Sequence, residues 1–366
     1  MNYLEKLLDG VEVEWKFLSN VGNVVRGKRL TKKELTENGN FPVFHGGLIP
    51  LGLYHKYNRS ANQTMIINTG SVGEVVWSGV DFWSSDGTFV VDTNDNVENK
   101  YLYYLLKTQE KYLKSQKREG GVPTIDRITI ENLQIPIPPI KIQQEIVRIL
   151  DTFTGLTAEL TAELTARKKQ YSFYREQLFS FDDREVGWKS LGEVATIGTG
   201  SRNTNESVIG GEYPFFVRSQ EPRAINEYEF DETAIITAGD GVGVGKVFHY
   251  ITGKYALHQR AYRIVVTNQF VTSRYLFHFM RINFAKYLEM TSVHASVTSL
   301  RKPMFEKYRI PVPSLQEQNR IVSILDKFDT LTTSISEGLP KEIDLRKKQY
   351  EYYRNLLLTF PKPDAK

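Results

Sequence analysis

The chain has 366 residues, room for two globular units at about 150 residues per domain. Hydrophobic residues at 40% and charged residues at 25% describe a folded protein, and the lack of cysteine excludes a disulfide framework, a cysteine-ligated metal and a thiol nucleophile. The net charge of +4 permits a nucleic-acid partner only if basic residues cluster, and the charged start (Glu5, Lys6, Asp9) with no long apolar run predicts a cytoplasmic protein.

From the amino terminus, β-branched and aromatic runs at 21–25, 64–68 and 88–92 predict strands, and 101–117 predicts a helix. Residues 1–138, with a short amino-terminal helix, therefore read as a mixed α/β domain. Ile135-Pro136-Ile137-Pro138 cannot be helical, and a long helix over 139–181 follows it. Its apolar stripe, Ile142, Ile146, Ile149, Phe153, Leu156, Leu160 and Leu164, has the spacing of a coiled-coil seam. Within it stands a four-residue tandem, Thr157-Ala158-Glu159-Leu160 then Thr161-Ala162-Glu163-Leu164. One such unit lengthens a helix by about 6 Å and turns it by roughly 40° past a full turn. A base pair advances B-DNA by about 3.4 Å and turns it by roughly 35°. Adding or deleting a unit would therefore shift the flanking domains by a step of base-pair size.

Residues 182–313 form a second mixed part, with strands predicted at 194–197, 233–237 and 262–267 and a helix at 273–290. The connector then recurs as a distal helix, 314–360, ahead of a tail at 361–366. Ile310-Pro311-Val312-Pro313, Gln318, Ile321-Val322, Ile324-Leu325-Asp326 and Phe328 repeat Ile135-Pro136-Ile137-Pro138, Gln143, Ile146-Val147, Ile149-Leu150-Asp151 and Phe153, 175 residues on. Arg346-Lys347-Lys348-Gln349-Tyr350 repeats Arg167-Lys168-Lys169-Gln170-Tyr171 in the same way, 179 residues on. These triplets could touch DNA or an acidic partner, or form a solvated face. The distal seam runs through Ile321, Ile324, Phe328, Leu331 and Ile335, and Gly338-Leu339-Pro340 predicts a break in it. The expected fold is α+β: two unlike domains in tandem, separated by two long helices packed as an antiparallel coiled coil with pseudo-twofold symmetry. Because Leu4 to Val13 aligns with Gln177 to Val186, the amino-terminal piece should dock near the end of the distal helix.

Catalytic patterns were sought and are absent. Asp240 to Val247 resembles a phosphate-binding loop but has Asp240 where glycine and Val247 where a hydroxyl is required, so it reads as a turn between strands. It lacks the third glycine of a dinucleotide fingerprint, the six histidines show no metal-ligand spacing, and there is no nucleophile elbow and no Asn-Pro dipeptide of the amino-methyltransferase type. What the loops do carry is basic and amide side chains suited to phosphates and base edges. In the first part these are Arg26, Lys28, Arg29, His45, Lys56, Arg59, Ser84, Ser85, Lys117 and Arg118. In the second they are Ser201, Arg202, Asn203, Arg218, Gln220, Arg223, His258, Gln259, Arg260, His294, Ser296, Ser299 and Arg301.

Two divergent domains joined by matching helices, each opened by Ile-Pro-x-Pro and closed by Arg-Lys-Lys-Gln-Tyr, resemble the specificity subunit of a type I restriction-modification system. The Thr-Ala-Glu-Leu tandem resembles its type IC subclass. The resemblance implies a non-catalytic reader of double-stranded DNA, each domain a target recognition domain for half of an asymmetric bipartite site, with the helices as ruler. It also implies two methyltransferase subunits docked on the helices and two translocase-nuclease subunits recruited through the complex. S-adenosylmethionine, ATP and Mg would belong to those partners, with no cofactor in this chain. A coiled-coil adaptor without DNA binding is the alternative of another class.

Overall fold

The computed structural model describes residues 3–8, 10–118, 121–182, 186–291 and 299–361. The chain forms two compact units, Met1–Leu160 with Glu342–Lys366, and Thr161–Lys341. The division falls between the two copies of the Thr-Ala-Glu-Leu tandem.

The first unit contains α1 (Tyr3–Leu8), β1 (Glu14–Phe17), β2 (Gly22–Arg26), β3 (Phe41–Phe44), β4 (Gly52–Tyr54), β5 (Gln63–Ile67), β6 (Val75–Ser78), β7 (Trp83–Ser84), β8 (Thr88–Thr93), α2 (Asn99–Thr108), α3 (Glu110–Ser115), α4 (Arg127–Glu131), β9 (Gln134–Ile137) and the first part of α5 (Ile140–Gln177). The second contains the rest of α5, then β10 (Gly187–Ser190), α6 (Leu191–Val194), β11 (Ala195–Thr199), β12 (Tyr213–Phe216), β13 (Arg223–Ile225), β14 (Phe230–Ala238), β15 (Phe248–Leu257), β16 (Ala261–Val266), α7 (Ser273–Thr291), α8 (Lys302–Glu306), β17 (Arg309–Val312), α9 (Leu315–Thr333) and the start of α10 (Leu339–Leu358). From Glu342 onward α10 belongs to the first unit.

Each unit has a mainly antiparallel sheet with helices on one face. The first has the order β2-β8-β5-β6 beside a three-stranded sheet, β4-β3-β7. In the second, the longer β15 serves both roles, giving one six-stranded sheet, β11-β16-β14-β15-β12-β13. Val24, Ile66, Phe89 and Val91 bury against Tyr101, Leu102 and Leu105 of α2, while Met65, Ile67 and Val90 pack with Phe44 and Phe82 on the other side. Alternation along β5 and β8 thus feeds two cores, as a period of two requires.

The repeated segments form one frame, built twice. Trp15 pairs with Pro136 across β1 and β9, and Trp188 pairs with Pro311 across β10 and β17. Tyr101 donates its hydroxyl proton to Pro136 O at 3.0 Å, and Tyr275 donates to Pro311 O at 3.0 Å. Gln143 and Gln318 are both fully buried. Gln143 Nε2 donates to Asn96 O (2.9 Å) and Pro138 O (2.7 Å), and its Oε1 accepts from the Glu98 N–H (2.9 Å). Gln318 Nε2 donates to Phe270 O (2.7 Å) and Pro313 O (2.9 Å), and its Oε1 accepts from the Thr272 N–H (2.9 Å). Each glutamine ties the first turns of a connector helix to the loop that leads into its domain's own helix.

Three expectations are adjusted. Ile142, Ile146 and Leu150 of α5 belong to the first domain's core, and Ile321 and Leu325 of α9 to the second's, so the early part of each stripe is spent on its domain. The break expected at Gly338-Leu339-Pro340 is present and divides the distal helix in two: α9 ends at Thr333, Gly338 turns at φ +81° where a Cβ would lie 2.3 Å from Thr330 O, and Pro340 sits in the first turn of α10. Ile335, expected on the seam, lies in that break and is 86% exposed. The helix expected at 101–117 is likewise two pieces, α2 and α3. The amino-terminal piece meets the end of the distal helix: Leu4 shares a core with Leu357, Leu358 and Phe360, and Trp15 Nε1 donates to Pro361 O at 3.0 Å.

Gln318→Ala leaves two carbonyls and one N–H without their buried partner, and a loss of about 3 kcal/mol in unfolding free energy is expected. The exposed neighbour Asn319→Ala should cost no more than about 0.5 kcal/mol. Urea unfolding of the two variants compares them directly.

Candidate nucleic-acid interface

In both units a glycine sets the loop geometry after the first sheet strand. A Cβ on Gly27 would lie 2.1 Å from Ser85 O, and one on Gly200 1.8 Å from Leu257 O, so any larger residue is excluded. This close approach lays the basic residues that follow against the loop beyond β7 or β15. Lys28 N–H donates to Ser84 O (2.9 Å), and Arg202 N–H to Leu257 O (3.2 Å).

In the first unit, Arg26, Lys28 and Arg29 leave β2 with exposed side chains, Arg26 Nε donating to Asp86 O at 3.0 Å. His45 Nδ1 lies 3.2 Å from Ser85 Oγ and 3.4 Å from Asp86 Oδ1. Ser71 N–H reaches Gly46 O (2.9 Å), and isolated bridges from Thr69 to Thr124 and from Thr124 to Arg118 bring the segment around Arg118 to the same end of the sheet. There Arg118 pairs with Asp126, and Lys117 is exposed. Lys56 is exposed as well. Two proposed contacts are turned inward: Ser84 and Ser85 are completely buried, Ser84 Oγ bonded to Thr88 Oγ1 (2.7 Å) and Ser85 Oγ accepting from Leu30 N–H (3.2 Å). They shape the loop and cannot touch a base. Arg59 is ion-paired to Asp92 at 2.9 Å, and Asp92 stands opposite Asn23 at the start of β2, the far end from Arg26.

In the second unit the charged loops converge on carboxylates. Asp240 bridges Arg218 (2.6 Å) and Arg260 (3.1 Å); burial raises its pKa, but the two guanidiniums outweigh this and hold the carboxyl below its ordinary value. One negative charge on two cations leaves a net positive fork with free N–H groups, the geometry that grips phosphate or guanine. Arg202 pairs with Glu206 (3.1 Å) and Glu227 (2.7 Å), Ser201 hydrogen-bonds Glu229, and Gln259 Nε2 donates to Asn203 Oδ1 (2.6 Å). Arg223 donates to Ser207 Oγ (3.2 Å). Gln220, Ser299 and Arg301 are exposed, and Ser299 bridges to Asp240. His258 is buried, its Nδ1 accepting from Arg260 N–H (3.0 Å), and burial with the nearby Arg218 pushes its pKa down. His294 and Ser296 lie outside the described residues.

Arg218, Arg223 and Asp240 line an open cleft of about 360 Å³ with Gly241-Val242-Gly243, a 3₁₀ turn between β14 and β15. Val242 at its tip is 97% exposed. A list of cations could not find it; the signal was glycine on both sides of an apolar residue in a turn. The carboxylates that set the arginines, Glu206, Glu227 and Asp240, were missed for the same reason.

A scan of family models matches the type I restriction modification DNA specificity domain twice, over residues 10–167 and 185–345. The chain belongs to this family. The EcoR124I/EcoR124II type I restriction enzyme specificity subunit of Escherichia coli is 36% identical to it, covering 100% of this chain and 98% of that one. A putative type I specificity subunit of Haemophilus influenzae is 33% identical, covering 98% of each. The crystal structure of a type I S subunit from M. genitalium superposes with a TM-score of 0.70 at 18% identity, over 97% of this chain and 98% of that one. A chain from a structural study of type I complex assembly and conformational transition gives 0.55 at 16% identity, covering 95% and 98%. Specificity subunits are the non-catalytic members of these systems.

Among the described residues, His278, Asp326 and Asp329 are close enough to hold a metal ion. Arg274 and Arg281 already engage the two carboxylates, each at 2.7 Å, so positive charge stands where a cation would need to be. No described helix is long and apolar enough to cross a membrane.

The second unit carries a pH dependence of definite sign. Burial lowers the pKa of His278, whose Nε2–H donates to Asp326 at 2.7 Å while the buried Nδ1 has no partner. A proton placed on Nδ1 would therefore be a buried, unbonded donor. Burial also lowers the pKa of His249 and His258. Each takes up its proton more readily unfolded, so stability falls as pH drops through about 6.5. The urea midpoint should fall between pH 7.5 and 5.5, and His278→Gln should flatten that slope.

Proposed function

We propose that the chain reads an asymmetric, two-part DNA site, the loops of each unit contacting one half, and that the helices hold the halves at a fixed unread spacing. One observation carries this reading: the same buried frame, with the same three glutamine hydrogen bonds, supports two unlike sets of polar loops. A frame built twice with different loops suits two readings of one kind and gives an adaptor of uniform surface no advantage. In the second unit the Arg218–Asp240–Arg260 fork offers donors to phosphate or to guanine, and Val242 offers an apolar contact for a thymine methyl.

The helices form the ruler in this reading. A helix of 38 residues is about 57 Å long, and the tandem that would adjust it lies at its middle, where one unit gives way to the other. The paired connectors pack antiparallel, carry the pseudo-twofold relation, and dock two methyltransferase subunits that bind S-adenosylmethionine. Two translocase-nuclease subunits using ATP and Mg join through the complex, which acts in the cytoplasm. Methylation of adenine requires the base to leave the stack, so the loops hold a distorted duplex.

The test is a long-read methylome of a methylation-free host that expresses the chain with its methyltransferase subunit. A two-part motif with one fixed gap is expected. The double variant Arg218→Ala/Arg260→Ala should blur one half of that motif and weaken binding by about tenfold or more, with the other half intact. Soluble, associated subunits that leave no such motif would favour the adaptor, whose binding would respond little to salt, where a DNA reader loses affinity steeply.

A further inference from the structure

The repeat singles out two pairs of residues that DNA reading does not use: Asp151 with Asp326, and Tyr171 with Tyr350. In the first unit Asp151 of α5 accepts the hydroxyl proton of Tyr104 on α2 and lies 3.7 Å from Lys100 Nζ. Lys100 in turn sits over the Trp77 ring of β6, 4.4 Å from its centroid, and Tyr104 lies 6.4 Å, centroid to centroid, from Tyr350 of α10. In the second unit Asp326 of α9 accepts from Arg274 Nη2 (2.7 Å) and His278 Nε2 (2.7 Å) on α7, and Arg274 covers the Tyr250 ring of β15 at 4.8 Å. One turn on, Arg281 pairs with Asp329 at 2.7 Å and donates to the Tyr171 hydroxyl of α5. Both units therefore contain a strut running from an aromatic ring on the sheet, through a cation on the domain's helix, to a carboxylate on the connector. Its members, Trp77 and Tyr250, Lys100 and Arg274, Tyr104 and His278, Asp151 and Asp326, keep nearly one displacement along the chain.

We infer that this strut is a positioning device that sets the angle at which each reading domain stands on its connector helices, and so the gap at which the DNA halves are read. The apolar core around it has no direction and tolerates rotation between helix and sheet. A charge-assisted hydrogen bond clamped by a ring does not. The required precision is high: a loop about 20 Å away, one strand length, moves by about 3.4 Å, one base-pair step, on a rotation of roughly 10°. Different side chains build the same connection in the two units, so it is the geometry that recurs and not one residue type.

The inference rests on the two-part reading above, and its test separates the two. The full-length chain, complexed with its methyltransferase subunit, is bound to duplexes carrying both half-sites at the native gap and at one base pair more or less. The native complex should prefer its own gap, and Asp326→Ala, which removes the contacts to both Arg274 and His278, should reduce that preference by about tenfold or more. The penalty for a mismatch inside a half-site should stay as it was. Tyr104→Phe, which removes only a hydroxyl, gives the milder counterpart in the first unit should Asp326→Ala fail to fold. An unchanged gap preference in folded variants, or a loss of half-site discrimination in step with it, overturns the positioning role. A native complex indifferent to the gap would instead overturn the two-part reading itself.

Discussion

The rest of the structure depends on two buried glutamines. A primary amide taken out of water must find partners for its donors and acceptor, or cost about 1–3 kcal/mol for each group left bare. Gln143 and Gln318 find theirs in the carbonyl of the last proline of Ile-Pro-x-Pro and in the loop entering the domain's helix. That choice locks three pieces together: the strand pair of the proline motif, the first turn of the connector, and the helix that covers the sheet. Apolar packing around the lock could tolerate many arrangements; the amide accepts few. The loops at the sheet's end can then vary without disturbing what carries them.

Those loops are governed by pairing more than by net charge. With +4 on 366 residues, what matters is where the cations stand and how they are paired. Several of its loop arginines meet carboxylates at hydrogen-bond distance, as Arg202 does with Glu206 and Glu227, and Arg218 and Arg260 with Asp240. A guanidinium held this way loses little side-chain entropy when it meets a base or phosphate, and its remaining N–H groups point in a set direction. Such sites favour discrimination over bulk affinity, as a specificity subunit requires.

Half-buried ionic contacts around the buried His278 in the second unit serve the frame. Arg274, Arg281, His278, Asp326 and Asp329 form one network between α7 and α9. Burial pushes the pKa of His278 down, and at Asp326 the hydrogen bonds from Arg274 and His278 hold the carboxyl below its ordinary value against the burial that would raise it. The first unit makes the same linkage with Lys100, Tyr104 and Asp151, through one charged donor and one neutral one.

The sequence by itself determined the tandem architecture, the two connectors, the break before α10 and the family, because repeats and proline or glycine punctuation are local signals that survive in one dimension. It also marked Gln143, Gln318, Asp151 and Asp326 as repeated positions, though not what they do. Only the tertiary structure decided that much of each connector's stripe belongs to a domain core, since an apolar side chain does not specify what covers it. The same holds for the loops. Ser84 and Ser85 looked like Ser201 in sequence, yet a close approach at Gly27 buries them. Arg59 matched Arg26 in chemistry but stands at the other end of the sheet. Whether a polar side chain faces water or a carbonyl depends on strands brought together from distant parts of the chain, and no local pattern encodes that.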